Sequence, residues 1–208
     1  MAPTRNVTSF PTKQINTSVK IVMEHFNEKF QGTLPEGSLS GHTFEECSFQ
    51  KCDFKGLDLS SIRFISCAFT SCDLSNIKLS GSRFRETVFE RSKLLGIQWS
   101  QLQDLINPSF SECNLDYCGF VSLKLKKTRF FKCSVREADF SQADLSECDF
   151  SDSDFLKARF HGTTLVKADF RGALNYLIDP LTNKVKGARF SMPEALGLLS
   201  GLGVVIEN

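Results

Sequence analysis

Large apolar residues recur at every fifth position through most of this chain, and that spacing constrains the fold more than any other feature. From Leu39 the series runs Phe44, Phe49, Phe54, Leu59, Phe64, Phe69, Leu74, Leu79, Phe84, Phe89, Leu94 and Trp99. After a shift of one residue it resumes at Leu105, Phe110, Leu115, Phe120, Leu125, Phe130, Val135, Phe140, Leu145, Phe150, Phe155, Phe160, Leu165 and Phe170. Five matches neither the helical period of 3.6 nor the strand period of 2. To bury every fifth side chain, the chain must turn a corner every five residues. A second period of twenty fixes the number of sides. Leu39, Leu59, Leu79 and Trp99 align, as do Phe44, Phe64 and Phe84; later, Leu105 to Val185 and Phe110 to Phe190 align in the same way. The expected fold is therefore all-β, a right-handed quadrilateral β-helix in which each coil buries its apolar face against its neighbours.

The position two residues before each large one holds Cys47, Cys52, Cys67, Cys72, Cys113, Cys118, Cys133 and Cys148, which are all the cysteines of the chain. Within each half the gaps are five or its multiples, not the two-to-four-residue spacing of zinc ligands. His25, His42 and His161 add no ligand pair. These thiols read as small apolar core fillers, with no metal, cofactor or disulfide expected. Phe44, Phe64, Phe84, Phe110, Phe130, Phe150, Phe170, Cys47 and Cys67 represent the expected core.

The units Cys52-Asp53-Phe54-Lys55-Gly56, Ala143-Asp144-Leu145-Ser146-Glu147 and Ala168-Asp169-Phe170-Arg171-Gly172 resemble the A(D/N)LXX signature of the pentapeptide-repeat family. On this reading residues 37–190 form the array and residues 1–36 an N-terminal extension, either mobile or carrying an amphipathic helix over Ser18–Phe30. The register breaks at 100–108. Either one residue is inserted there or six residues bulge out before Phe110; because Trp99 and Leu105 both sit in a leucine-rich column, the bulge is the expectation, with Gln101, Gln103, Asp104 and Asn107 available to a partner. Residues 191–208 read as a cap. Ser191 would cap a helix with Glu194 closing a capping box, and Val204-Val205-Ile206 would form a short strand. This end is apolar at Met192, Leu196, Leu199, Leu202, Val204, Val205 and Ile206, the pattern of a two-fold dimer interface, with an intramolecular lid as the alternative.

The formal net charge of +1 marks neither a nucleic-acid binder nor an acidic tail protein. One section departs from that balance: Glu137, Asp139, Asp144, Glu147, Asp149, Asp152 and Asp154 form a run of acids with no base among them. Four of them would stand one on each side of a coil, as a belt. A rod of roughly 36 Å, doubled by an end-to-end dimer, approaches the length of about twenty base pairs. Such a rod would suit a protein saddle built for duplex DNA.

The run Asn175-Tyr176, Ile178-Asp179-Pro180, Asn183, Lys186, Ala188-Arg189-Phe190-Ser191, Pro193-Glu194-Ala195 and Leu198-Leu199 is similar to the endings of the albicidin-immunity, microcin-immunity and quinolone-resistance members of that family. That resemblance implies a C-terminal homodimer that binds DNA gyrase, and in some members topoisomerase IV, and protects it from poisons; the alternative is a non-catalytic interaction scaffold with a different protein target. No catalytic constellation or phosphate loop is present, so no enzyme activity is expected. With no apolar run of about 18 residues and no signal-like N-terminus, the expectation is a cytoplasmic protein that touches neither membrane nor nucleic acid.

Overall fold

The computed structural model describes residues 23–202 and 204. The chain winds as a parallel β-solenoid of about eight turns. Its longer strands are β1 (Glu24–Phe26), β2 (Lys29–Gln31), β3 (Thr43–Glu45), β4 (Ser48–Gln50), β5 (Arg63–Ile65), β6 (Ala68–Thr70), β7 (Arg83–Arg85), β8 (Val88–Glu90), β9 (Asp104–Ile106), β10 (Ser109–Ser111), β11 (Arg129–Phe131), β12 (Asp169–Phe170) and β13 (Arg189–Phe190). Odd strands β1 to β9 stack on the first side; β2, β4, β6, β8, β10 and β11 stack on the second. The third and fourth sides are held by single bridges, such as Asp53 to Asp73 and Asp139 to Arg159.

Each side sends its central residue inward. On the second side Phe30, Phe49, Phe69, Phe89, Phe110, Phe130, Phe150, Phe170 and Phe190 form one column, with successive ring centroids 4.8–5.3 Å apart. That spacing is close to the distance between hydrogen-bonded strands, so the backbone ladder and the ring stack enforce the same rise. Phe44, Phe64 and Phe84 form the corresponding column on the first side, all fully buried.

The corners explain the sequence signature. Where an aspartate or asparagine precedes the inward residue, it commonly accepts a hydrogen bond from the amide two residues on, as Asp53 does from Lys55, Asp139 from Ser141 and Asp154 from Leu156. This is an Asx turn, which supplies the bend without help from distant residues. The corner residue that follows is left-handed even where it is not glycine, with φ of 57° at Asn76 and 55° at Glu137. At Gly172 (φ 71°) an added Cβ would lie 2.2 Å from the Asp152 Oδ1, so that carboxylate would have to swing aside.

Two register shifts differ from the sequence-based expectation. Residues 24–31 are strands paired to the array, His25 opposite Phe44 and Phe30 opposite Phe49, where the sequence suggests a helix over Ser18–Phe30. The part of that helix before residue 23 lies outside the described residues. The spacing from His25 to Phe44 is nineteen and the inward residue is histidine, so neither period reveals this coil. The second shift is at 100–108, where no six-residue bulge forms. One extra residue is absorbed by a 3-10 turn at Trp99–Gln101, followed by the partly buried Leu102. Leu105 then pairs with Phe84 on the first side, while Trp99 stacks on Phe120 on the fourth, 6.1 Å away. The two residues occupy different columns, contrary to the single leucine-rich column expected for both.

At the C-terminal end Asn175 and Pro180 leave the interior short of two large residues. Tyr176 and Ile178 turn inward instead and are buried. The helix spans Glu194–Leu202 and is of 3-10 type. The Ser191 hydroxyl does not cap it but accepts the Gly172 N–H at 2.9 Å.

Candidate partner-binding surface

The interior is filled and uncharged. All eight cysteines are free and buried. Their thiols lie against carbonyls of the preceding coil, as at Cys118 to Leu94 (3.0 Å) and Cys148 to Leu125 (2.9 Å). Burial pushes the Cys67 and Cys118 thiols up to about 12, which leaves them protonated and unreactive at neutral pH. Serine takes the same place elsewhere: the Ser153 hydroxyl donates to the Phe130 carbonyl at 2.6 Å. No group of three or more His, Cys, Asp or Glu that could hold a metal occurs among the described residues. No helix among them is long and apolar enough to cross a membrane.

The acidic belt is present but compensated in part. Asp139, Asp144, Asp149 and Asp154 stand on four successive sides, each engaged in its own turn. Arg159 reaches Asp139 at 3.0 Å, Arg129 reaches Asp149 at 3.5 Å, and Arg136 reaches Asp154 at 2.7 Å. Glu147 is bridged by Lys126 (3.2 Å) and Lys127 (3.7 Å). At Asp139 and Asp154 burial opposes ionisation, but hydrogen bonds from Ser141 and Arg159, and from Asn175 and Arg136, outweigh it and hold both carboxyls below the usual range. Ser146 does the same for Asp144 and Lys126 for Glu147. Glu137 and Asp152 sit at exposed left-handed corners. The belt therefore presents alternating charge at Asp139, Glu147, Asp149 and Asp154 and, among the described residues, uncompensated carboxylates at Glu137 and Asp152.

The expected loop residues are part of the wall. Gln103 accepts from Arg83 at 3.2 Å, Asp104 lies in β9 and binds Arg85 at 2.7 Å, and Asn107 is a corner with φ of 48°. Gln101 ends the 3-10 turn and is exposed.

At the cap Met192 is 67% exposed, and Leu196, Leu199, Leu202 and Val204 are exposed too, while Leu198 packs on the core. Val205 and Ile206 lie outside the described residues. Sequence reading misses Leu177 and Leu181, 68% and 71% exposed, which extend the apolar end. Their offset from the five-residue series is the available signal.

The description "Pentapeptide repeat region" matches residues 42–103 and 104–170. No curated protein matches the chain. Among solved structures, a trypsin-treated variant of QnrB1, a plasmid-mediated fluoroquinolone resistance protein, superposes with a TM-score of 0.60 at 20% identity, covering 90% of this chain and 98% of that one. HetL, involved in heterocyst differentiation regulation in the cyanobacterium Nostoc, gives a TM-score of 0.40 at 14% identity over 81% of this chain and 84% of its own.

Proposed function

The chain belongs to the pentapeptide-repeat family, and from that membership we propose that it works without catalysis, by seating its rod on DNA gyrase and shielding the enzyme from a topoisomerase poison. Topoisomerase IV, which shares the task of passing duplex DNA, is the second expected target. The observation that carries this reading is the shape. From His25 to Val185 the first side stacks eight coil steps, about 38 Å at ~4.8 Å each, with a filled interior that leaves only the exterior to act. The fold likeness to a fluoroquinolone resistance protein and the resemblance of the C-terminal run point the same way. Because Asp139, Asp149 and Asp154 are already paired, the partner's lysines and arginines would exchange there with Arg159, Arg129 and Arg136, and would meet Glu137 and Asp152 directly at their exposed corners. Attraction of that kind weakens with salt.

The proposal includes a two-fold dimer through the apolar end around Met192, Leu196, Leu199 and Leu202. Cutting the chain after Ser191 is expected to convert a sedimenting dimer into a monomer; an intact chain that sediments as a monomer rules this interface out. For the belt, the test is the combined change Asp139→Asn, Asp144→Asn, Asp149→Asn and Asp154→Asn. Asparagine keeps the Asx turn and deletes the charge. Binding to immobilised gyrase should weaken by about tenfold or more, with the far-ultraviolet spectrum unchanged. Equal affinity for both proteins would remove the belt from the account.

A further inference from the structure

The near-zero net charge of the chain hides a sidedness that appears only once the register is known. On the first and second sides of the last four coils (residues 124–132, 144–152, 164–172 and 184–192), ten bases stand against five acids. The third and fourth sides of the same stretch (134–142, 154–162 and 174–182) hold three bases and four acids. The five earlier coils on the first and second sides (24–32, 43–51, 63–71, 83–91 and 104–112) hold six bases and eight acids. The excess of positive charge is confined to two adjoining sides of one half of the rod.

Height above the surface sharpens the contrast. Three of the five acids, Asp144, Asp149 and Asp169, are at least half-buried and bound to the amides of Ser146, Ser151 and Arg171, so their charge lies against the backbone; Glu147, bridged by Lys126 and Lys127, and Asp152 are exposed. All ten bases are exposed on long stems. One coil supplies Lys124, Lys126, Lys127, Arg129 and Lys132 without an intervening acid. In that coil Phe131 faces outward with the Arg129 guanidinium 4.3 Å and the Lys132 ammonium 5.1 Å from its ring centre. Lys184 and Lys186 close the surface at the other end.

We infer that this surface docks on the phosphate backbone of duplex DNA. Ammonium and guanidinium groups that project from two adjoining sides, above the recessed carboxylates of Asp144, Asp149 and Asp169, match a rod of phosphates better than they match a folded protein of mixed charge. Three coil steps span about 14 Å. A strand that rises 3.4 Å per phosphate presents about four phosphates over that height. The inference is independent of gyrase, since the test contains none.

The test is fluorescence anisotropy of a labelled 20-base-pair duplex titrated with the full chain from 50 to 200 mM KCl. Four neutralised phosphates predict a slope of log K against log salt near −4. Lys124→Gln, Lys126→Gln, Lys184→Gln and Lys186→Gln together should lower affinity at least about tenfold and flatten the slope, by roughly one for each phosphate left without its lysine. Lys55→Gln, Lys78→Gln, Lys93→Gln and Lys157→Gln remove the same charge from the other two sides and should change affinity less than about twofold. Equal losses in both variants would reduce the effect to net charge and overturn the inference. Absence of binding at 50 mM KCl, or binding to poly-glutamate without binding to DNA, would overturn it equally.

Discussion

Replacing Phe140 with alanine is expected to destabilise the protein by about 3–5 kcal/mol. The ring is fully buried, parallel to Phe120 at 4.9 Å and to Phe160 at 5.4 Å, with Phe130 edge-on at 5.9 Å. Its neighbours cannot close the gap, because each is pinned at the coil spacing by parallel backbone bonds, such as the Phe140 amide to the Arg159 carbonyl. The cavity should therefore stay open and its full cost be felt. Phe26 provides the contrast: it faces solvent, 64% exposed, and its loss should cost less than about 0.5 kcal/mol. Urea unfolding of the two variants measures the difference. Similar small losses would mean that stacked rings are not what holds the coils together.

A larger effect is expected from Cys118→Asp. The thiol is buried, and burial raises it to about 12, which shows how strongly this place resists a negative charge. It also faces the Leu94 carbonyl at 3.0 Å, an acceptor that a carboxylate cannot use. The introduced group would have a pKa raised by burial, so the folded state would favour its protonated form. Its damage is then least below the unfolded value near 3.9 and grows as pH rises above it. At pH 7 the loss should reach roughly 4–5 kcal/mol or prevent folding. The comparison is Cys118→Ser, whose hydroxyl can donate to Leu94 as Ser153 does to Phe130, and whose cost should stay within about 1.5 kcal/mol. Measuring both variants at pH 4.5 and 7.5 cancels the general weakening of the Asx turns in acid. A gap between them that fails to widen with pH would place this position outside the dry interior.

Much of the fold was legible because every inward place demands a large apolar residue and every coil repeats the demand. Phe44, Phe64 and Phe84 could take no other role. The register at 24–31 and 100–104 was harder, since Leu105 suits either of two columns and His25 suits neither period on sight. The role of the aspartates was harder still. The same residue type builds a turn and carries a surface charge, and only the register shows which bases lie above it. Arg129 and Asp149, or Asp139 and Arg159, are twenty residues apart and become neighbours once the coil length is fixed. The belt was visible in the chain; its partial neutralisation was visible only in three dimensions. The apolar end escaped in part because Leu177 and Leu181 belong to the irregular last coil.

The most direct test of the central claim is a supercoiling assay of purified gyrase with a poison present, titrated with the full chain at two salt concentrations. Restored supercoiling at stoichiometric protein, weaker at the higher salt, is the predicted result. Gyrase that stays poisoned, is not inhibited by the chain alone and does not retain it on a column would contradict the claim that this rod acts on the enzyme.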